Sequence, residues 1–583
     1  MSTSLKAIFL SEIIIILAMI FGIVPQEFSY LILVLLGVSF IRLNMLDSLK
    51  LFILSIPFFV ALPANALSDS MSIWRILIVI LFLKAGWKKE RWLHSPEGLW
   101  SRCARLLNNA KRFYSPKGTA GITRLQKGSI ALKGLWSQRL LFLTILFFII
   151  AALSLISAQD IGVGVKKMLF LLNIFLLFPV VIFTIKKENN LIEILKVVLC
   201  SSVIIVSIGY FQFILTFFIT LSQFWYFWTD NVVKVFYGQN LSHLLSYSNT
   251  WFSYYKAFPP TLRMFSVLPD SHSFAMIIII STPVILSFLF LSPLAPPKRG
   301  RIKKKYISVV LIFFLLAIFF SGSRGAWVGS IFALLAGLFL FLSSSVKTKN
   351  NLRLEKVRLA ILEFIKLLKS KVGFNFNVEN NSKYYSKLIT FSILLFFVLM
   401  PVSSLILKQN QEVQIARSNI SLSDGDRSNF SMLERAFSIS DFDETSNKGR
   451  IQIWQETLIS IKERPLLGVG FGNFPLILGE KMSALKKGSS AHSIYFDIAA
   501  EIGIFGLLIF SFIIVEILKT AYRLYFKAEK KYLKIFTGSF FVYFTWICAY
   551  SIFDVVIFND KVLMFTVVII GMLYSLDRIM HNV

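Results

Sequence analysis

Uncharged apolar runs close to the length that crosses a bilayer recur along this chain from one end to the other. Such runs restrict it to one kind of fold. A helix needs ~20 apolar residues to cross the hydrocarbon core, and in lipid it can satisfy its own backbone groups. The runs fall at about 7–24, 28–42, 50–66, 72–84, 138–157, 165–184, 192–220, 268–291, 306–321, 324–343, 387–407, 494–518, 533–552 and 561–577. They predict an all-α integral membrane protein: one polytopic domain over 1–583, with roughly 12–14 transmembrane helices and a large extracytoplasmic loop. The 56% hydrophobic content and mean hydropathy of +0.71 agree. Ala7–Val24 has only Lys6 close before it and no small-residue cleavage site after it, so it reads as a retained signal-anchor. The sequence contains no internal repeat and no low-complexity tract.

The net charge of +30 would suit a nucleic-acid binder, but its distribution excludes that reading. With the N-terminus inside, alternation puts 84–139, 293–305, 344–387 and 519–534 in the cytoplasm. These are the basic segments, carrying KKERW and AKRF, PPKRGRIKKK, KTKNNLRLEKVR, and KTAYRLYFKAEKK. The opposite side receives 158–164, 221–267, 408–493 and 553–560, where charges are few or balanced. One orientation thus satisfies the positive-inside rule throughout. Within the insert at 84–139, Leu99, Cys103, Leu106, Ala110 and Phe113 recur at helical spacing opposite Arg102, Arg105 and Arg112. With Trp92 and Trp100 they predict a helix lying on anionic membrane lipids, as an anchor or a partner site. The three cysteines, Cys103, Cys200 and Cys548, are too scattered for a disulfide framework or a metal cluster.

Chemistry is expected at span ends on the outer face. The runs at 306–321 and 324–343 meet at Ser321-Gly-Ser-Arg-Gly-Ala-Trp327. Ser321 or Ser323 can cap the second helix, which puts Arg324 in its first turn. A cation there opposes the helix dipole by about 0.3–1 kcal/mol. The arrangement makes sense where an anion is held, because N–H groups, dipole and guanidinium then act together. An arginine snorkelling to headgroups is the plainer reading.

In the large outer loop, Ile451, Trp454, Leu458 and Ile461 predict an amphipathic helix along the bundle top. It would begin at Arg450 and end before Pro465. Arg450 suits a diphosphate, although a surface pair with Glu456 is the ordinary alternative. Gly468-Val-Gly-Phe-Gly-Asn473 superficially matches a dinucleotide motif, but no strand precedes it. A tight turn at the membrane rim fits better.

His492 follows Ser489 and Ser490, which can cap the next span. In the first turn the helix dipole would lower its pKa and keep the imidazole neutral, as a general base requires. An interfacial histidine without a role is the alternative. Glu501, nine residues on and at membrane depth, would cost about 2.5–3.5 kcal/mol unpaired, so an arginine or backbone partner is expected. Arg263, Asp270 and His272, in the run RMFSVLPDSH, either shape the site or cap a helix. His94 and His581 fall on the cytoplasmic side, and His243 lies in an outer loop without supporting residues. Arg263, Arg324, Arg450 and His492 are far apart in sequence, yet one topology brings all four to one membrane surface.

The SGSRGAW turn, the GR-x-x-x-W helix leading to PLLGVGFGNF, and the H-S-x-Y…E-x-G-x-x-G-L segment resemble the O-antigen ligase and O-antigen polymerase superfamily of bacterial envelope glycosyltransferases. The resemblance covers about 306–343 and 449–518. It departs at Ser493, where asparagine is common, and in the size of the inserts at 84–139 and 344–387. It implies a metal-independent GT-C-type transferase of the bacterial cytoplasmic membrane, with no cofactor and with its site on the periplasmic side. Such an enzyme moves a glycan from undecaprenyl diphosphate to an acceptor hydroxyl on lipid A core, another glycan or protein. By motif position, Arg324 and Arg450 would hold the diphosphate and His492 would deprotonate the acceptor. Arg263, Asp270, Ser323, Trp454 and Glu501 would support them, and 408–493 would be the catalytic loop. A polysaccharide transporter or flippase is the alternative of another class, but it would require related halves and a charged midplane path. Here the halves differ and the polar groups gather at one surface.

Overall fold

The structure, a computed structural model, describes residues 3–63, 71–87, 135–246, 251–253, 260–291, 304–346, 382–418, 445–478 and 490–581. The predicted surface helix at 99–113, the basic stretch 347–381, His94 and Ser489 lie outside the described residues. In chain order the helices are α1 (Thr3–Ile20), α2 (Phe28–Arg42), α3 (Met45–Ser55), α4 (Trp74–Trp87), α5 (Leu135–Ser154) and α6 (Ile161–Phe175). Next come α7 (Leu177–Thr184), α8 (Glu188–Leu215), α9 (Leu221–Phe227), α10 (Lys234–Ser246), α11 (Ser271–Phe288) and α12 (Lys304–Phe320). The last six are α13 (Arg324–Val346), α14 (Ser382–Ser418), α15 (Thr445–Glu463), α16 (Ile494–Lys527), α17 (Lys531–Tyr550) and α18 (Asp560–His581). The described strands are two residues each and pair antiparallel, Phe252 with Leu262 and Ser253 with Thr261.

Every apolar run contains a helix, and the protein is an all-α multi-span membrane protein. Among the described residues, ten helices are long and apolar enough to cross a bilayer, and two shorter apolar ones lie at Phe28–Arg42 and Tyr306–Phe320. Some runs differ in detail from expectation. The runs at 50–66 and 72–84 form helices of 11 and 14 residues, each shorter than the hydrocarbon core at 1.5 Å per residue. The run at 165–184 is two helices meeting at Leu176.

Two helices form the centre. In α11, 94% of the apolar window is buried within the protein, and in α17 83%, against 22% for α5 at the lipid-facing rim. Small residues allow the central packing. Gly325 and Gly329, one turn apart on α13, leave room for Tyr550 and Trp546 of α17, and added Cβ atoms would lie 2.7 Å from those rings. The Trp546 Nε1–H donates to Ala326 O at 2.6 Å.

Contacts sort the connections into two ends. At one end, Arg263 N donates to Trp251 O, Met264 N to Phe320 O and Ile494 N to Ser551 O, with Ile494 N at 3.0 Å. Asp160 N also donates there to Asn473 Oδ1 at 2.8 Å, and Lys561 Nζ reaches Pro57 O and Val267 O at 3.0 and 3.1 Å. At the other end, Lys84 donates to Phe40 O and Leu43 O. There Lys530 also pairs with Glu188 at 2.6 Å, and Arg578 caps Ile182 O and Ile185 O at 2.7 Å. These are the two sets that alternation predicts. The second is rich in lysine and arginine; the first holds every predicted site residue.

Candidate active site

The site lies over the two central helices because α11 begins, and α17 ends, at the same end of the bundle. Its most unusual residue is His492. The backbone there is left-handed, with φ +50°, one of two non-glycine residues among those described with positive φ. For an L-residue this costs about 1–3 kcal/mol and persists only where the surroundings enforce it. Three elements do so. Asp497 Oδ1, on the first turn of α16, accepts from Ala491 N at 2.7 Å. Trp454 of α15 donates from Nε1 to Ala491 O at 2.8 Å and sets its ring edge against Phe496, with centroids 5.5 Å apart. Ser551 O, just beyond α17, accepts from Ile494 N.

His492 is therefore not in the first helical turn, as its spacing from Ser490 suggested. The cap position is Ser493, whose side chain makes no capping bond, and Ser490 Oγ accepts from His492 N at 3.3 Å. The imidazole is kept neutral by other means. Burial, and after it the charge of Arg450, lower its pKa from 6.5 to about 4.

Arg450 also differs from expectation. The helix α15 starts at Thr445, so Arg450 lies in its second turn. The buried stripe is Ile453, Thr457 and Ser460 rather than the set containing Leu458, which is 52% exposed. That rotation lets Arg450 act electrostatically on both His492 and Asp554. Burial holds the Asp554 carboxyl above its ordinary range, against the opposing pull of Arg450 and Arg263.

The other two arginines meet at the turn between α12 and α13, Arg324 from α13 and Arg263 from the segment before α11. Arg324 opens α13, as predicted. Ser323 does not serve as a simple cap, because its Oγ meets Tyr550 Oη at 2.5 Å and His272 Nδ1 at 3.0 Å. Arg263, 8% exposed, donates from Nε to Ser321 O at 2.9 Å. Gly322 (φ +62°) fits against that guanidinium, and a Cβ there would lie 3.0 Å from Nε. The other side of Arg263 faces His272, with Nη2 3.3 Å from Nε2. Asp270 caps α11 through Ser273 N at 2.7 Å, and burial pushes its carboxyl up to about 6. His272 is thus the hub between Arg263, Ser323, Tyr550 and Asp554.

Glu501 is paired: an arginine or backbone partner was expected, and it has a backbone donor together with a lysine. Lys167 Nζ of α6 lies 2.8 and 2.6 Å from its two oxygens, and Phe474 N donates at 3.4 Å. The glycine run forms the expected tight turn, with positive φ at Gly468, Gly470 and Gly472. It docks on a break in α16 at Gly503, where Val469 N and Gly470 N donate to Ala500 O and Glu501 O at 2.8 and 3.0 Å. His492 therefore rides on a half-helix held from the side by this loop.

Sequence reasoning left out Asp554, Tyr550, Lys167 and Asp497. For Asp554 one signal was present, a carboxylate in the short turn between two apolar runs at the outer face. Together the fold and this cluster define a multi-pass helical membrane protein with a charged, histidine-containing site at one end. Residues 309–511, roughly a third of the chain, match the family model described as O-Antigen ligase. That segment of the chain is thus similar to the O-antigen ligase family. The matched segment supplies Arg324, Arg450, His492 and Glu501, whereas Arg263, His272, Tyr550 and Asp554 lie outside it. A comparison with curated proteins found no match.

Proposed function

We propose that this protein transfers a glycan from a polyprenyl diphosphate carrier, undecaprenyl diphosphate in bacteria, to an acceptor hydroxyl at the outer face of the cytoplasmic membrane. The observation that carries the proposal is His492: an imidazole kept neutral by burial and Arg450, on a strained backbone pinned by three elements. In the reaction, His492 takes the proton from the acceptor hydroxyl as its oxygen bonds to the anomeric carbon. The bond from that carbon to the phosphate oxygen breaks, and the diphosphate departs with the electron pair. Arg324 and Arg450 stabilise the charge growing on it, which is electrostatic work needing no metal. Arg263 stands behind them, tied to the turn that carries Arg324. Asp270, Ser323, Trp454 and Glu501 hold these groups in place. The segment 408–493 acts as the catalytic loop, and the lysine-rich end of the bundle faces the cytosol.

The acceptor is assigned by cell phenotype. In a strain lacking the gene, loss of attached glycan with carrier-bound chains of normal length identifies an O-antigen ligase. Accumulation of single carrier-bound units identifies a polymerase, and loss of glycan from protein alone identifies a protein oligosaccharyltransferase. An unchanged profile of lipid-linked and attached glycans rejects glycan transfer altogether.

The proposal also fixes a pH profile. A base must be neutral to act, so activity is lost as pH falls through its pKa. In kcat/KM, which reports the free enzyme, the His492 limb is expected near pH 4 and not near 6.5. Arg450→Gln removes one cause of the depression, so that limb moves to higher pH. Asp554 also feels Arg450 and would move in the same direction, so the limb is assigned to His492 by repeating the comparison in an Asp554→Asn background. A limb that stays fixed in Arg450→Gln removes His492 as the base.

A further inference from the structure

We propose that His272 is a positioning residue that orients the Arg263 guanidinium toward the leaving diphosphate by linking it to Asp554. The inference rests on the reading above, in which Arg324 faces that diphosphate and Arg263 is bonded to the turn behind it. Its geometric basis is the set of partners around one ring. Nε2 lies 3.3 Å from Arg263 Nη2. Three oxygens meet Nδ1: Tyr550 Oη at 2.8 Å, Ser323 Oγ at 3.0 Å and Asp554 Oδ2 at 3.2 Å. A guanidinium only donates, so Nε2 must accept in that contact and the ring proton sits on Nδ1 among the oxygens. The ring therefore joins Arg263 to Asp554 with a defined polarity.

Neither end of this link is free to compensate. Arg263 Nε is committed to Ser321 O, and Gly322 closes over it. Asp554 is buried, and Arg450 acts on it electrostatically. His272 thus joins Arg263 and the α12–α13 turn, through Ser323, to the carboxylate on which Arg450 acts. Its position at the second residue of α11, the most buried helix, keeps the link stiff.

The test uses the full-length protein with a lipid-linked diphosphate glycan and its acceptor. His272→Leu is expected to raise donor KM about tenfold with kcat within about twofold, the signature of lost ground-state binding. His272→Gln, whose amide can accept from Arg263 and donate to Asp554, should recover to within about threefold of the parent. In an Arg263→Gln background, His272→Leu should add no further loss, because the residue it positions is gone. Should the leucine variant fail to accumulate, His272→Asn, too short to span both partners, is expected to show the same KM effect. Multiplying losses in the double variant, a glutamine variant as defective as leucine, or an effect confined to kcat would each overturn the proposal. His492→Gly, measured in parallel, tests the reading beneath it. If that variant stays active, the assignment of the base fails whatever His272 does.

Discussion

His492→Gly is expected to lower transfer by about 10²–10⁴-fold, the range supplied by a positioned general base, while leaving the protein as stable as its parent. The combination is unusual for a half-buried residue, and it follows from the backbone. At φ +50° the histidine occupies a conformation that disfavours side chains, by about 1–2 kcal/mol. Glycine relieves that cost and loses about 0.5–1 kcal/mol through the greater freedom of the unfolded chain. The two nearly cancel. The bonds that impose the conformation run through neighbouring backbone atoms, Ala491 N and O and Ile494 N, and survive the substitution. Turnover of a lipid-linked donor in detergent, set beside thermal unfolding of the same preparation, decides the matter. A glycine variant retaining more than a tenth of parental turnover would show that the imidazole does not act as the base.

The parts of this molecule legible in the sequence were those governed by lipid. A bilayer forces each apolar run to satisfy its own backbone, so Thr3–Ile20 and Asp560–His581 could be located from hydropathy alone. Loop charge then sorted the ends, which was enough to bring Arg263, Arg324, Arg450 and His492 to one face. What stayed hidden was set by tertiary contact. Tyr550 meets His272 across 278 positions of chain, and neither residue breaks any periodicity. Lys167 stands beside Lys166 at the edge of an apolar run, and nothing local marks it as the partner of Glu501. The rotation of α15 is not legible in hydropathy because its buried face includes Thr457 and Ser460, polar residues that hydropathy assigns to water. His492 was placed inside a helix because Ser489 and Ser490 supply a good capping sequence. Ser490 accepts from His492 N instead, and the cap position, Ser493, makes no side-chain capping bond.

Gly503→Ala is expected to cause the largest loss of stability of any single methyl group added near the site, about 3 kcal/mol or more from backbone strain and overpacking together. In sequence, 494–518 reads as one uninterrupted span, yet at Gly503 φ is +71° and ψ −176°, a region open essentially to glycine alone. A Cβ there would lie 2.0 Å from Leu466 O and 2.3 Å from Leu466 C. Both are backbone atoms and cannot rotate away. The break exists because another segment satisfies the groups it frees. Ile504 N donates to Pro465 O at 2.9 Å, and Ala500 O and Glu501 O accept from the glycine loop. Alanine would favour a continuous helix, expel that loop and leave Lys167 and Glu501 without the frame that holds them together. The half-helix Ile494–Ile502 would then swing, carrying His492 away from Arg450, so kcat should fall together with the unfolding midpoint. Gly37→Ala in α2 is the control, since its Cβ would make an ordinary 3.5 Å contact with Ile80, and a change within about 1 kcal/mol is expected there. If Gly503→Ala unfolds at the parental temperature with full turnover, the broken helix does not position the base, and the left-handed turn at His492 must be held by Trp454, Asp497 and Ser551 alone.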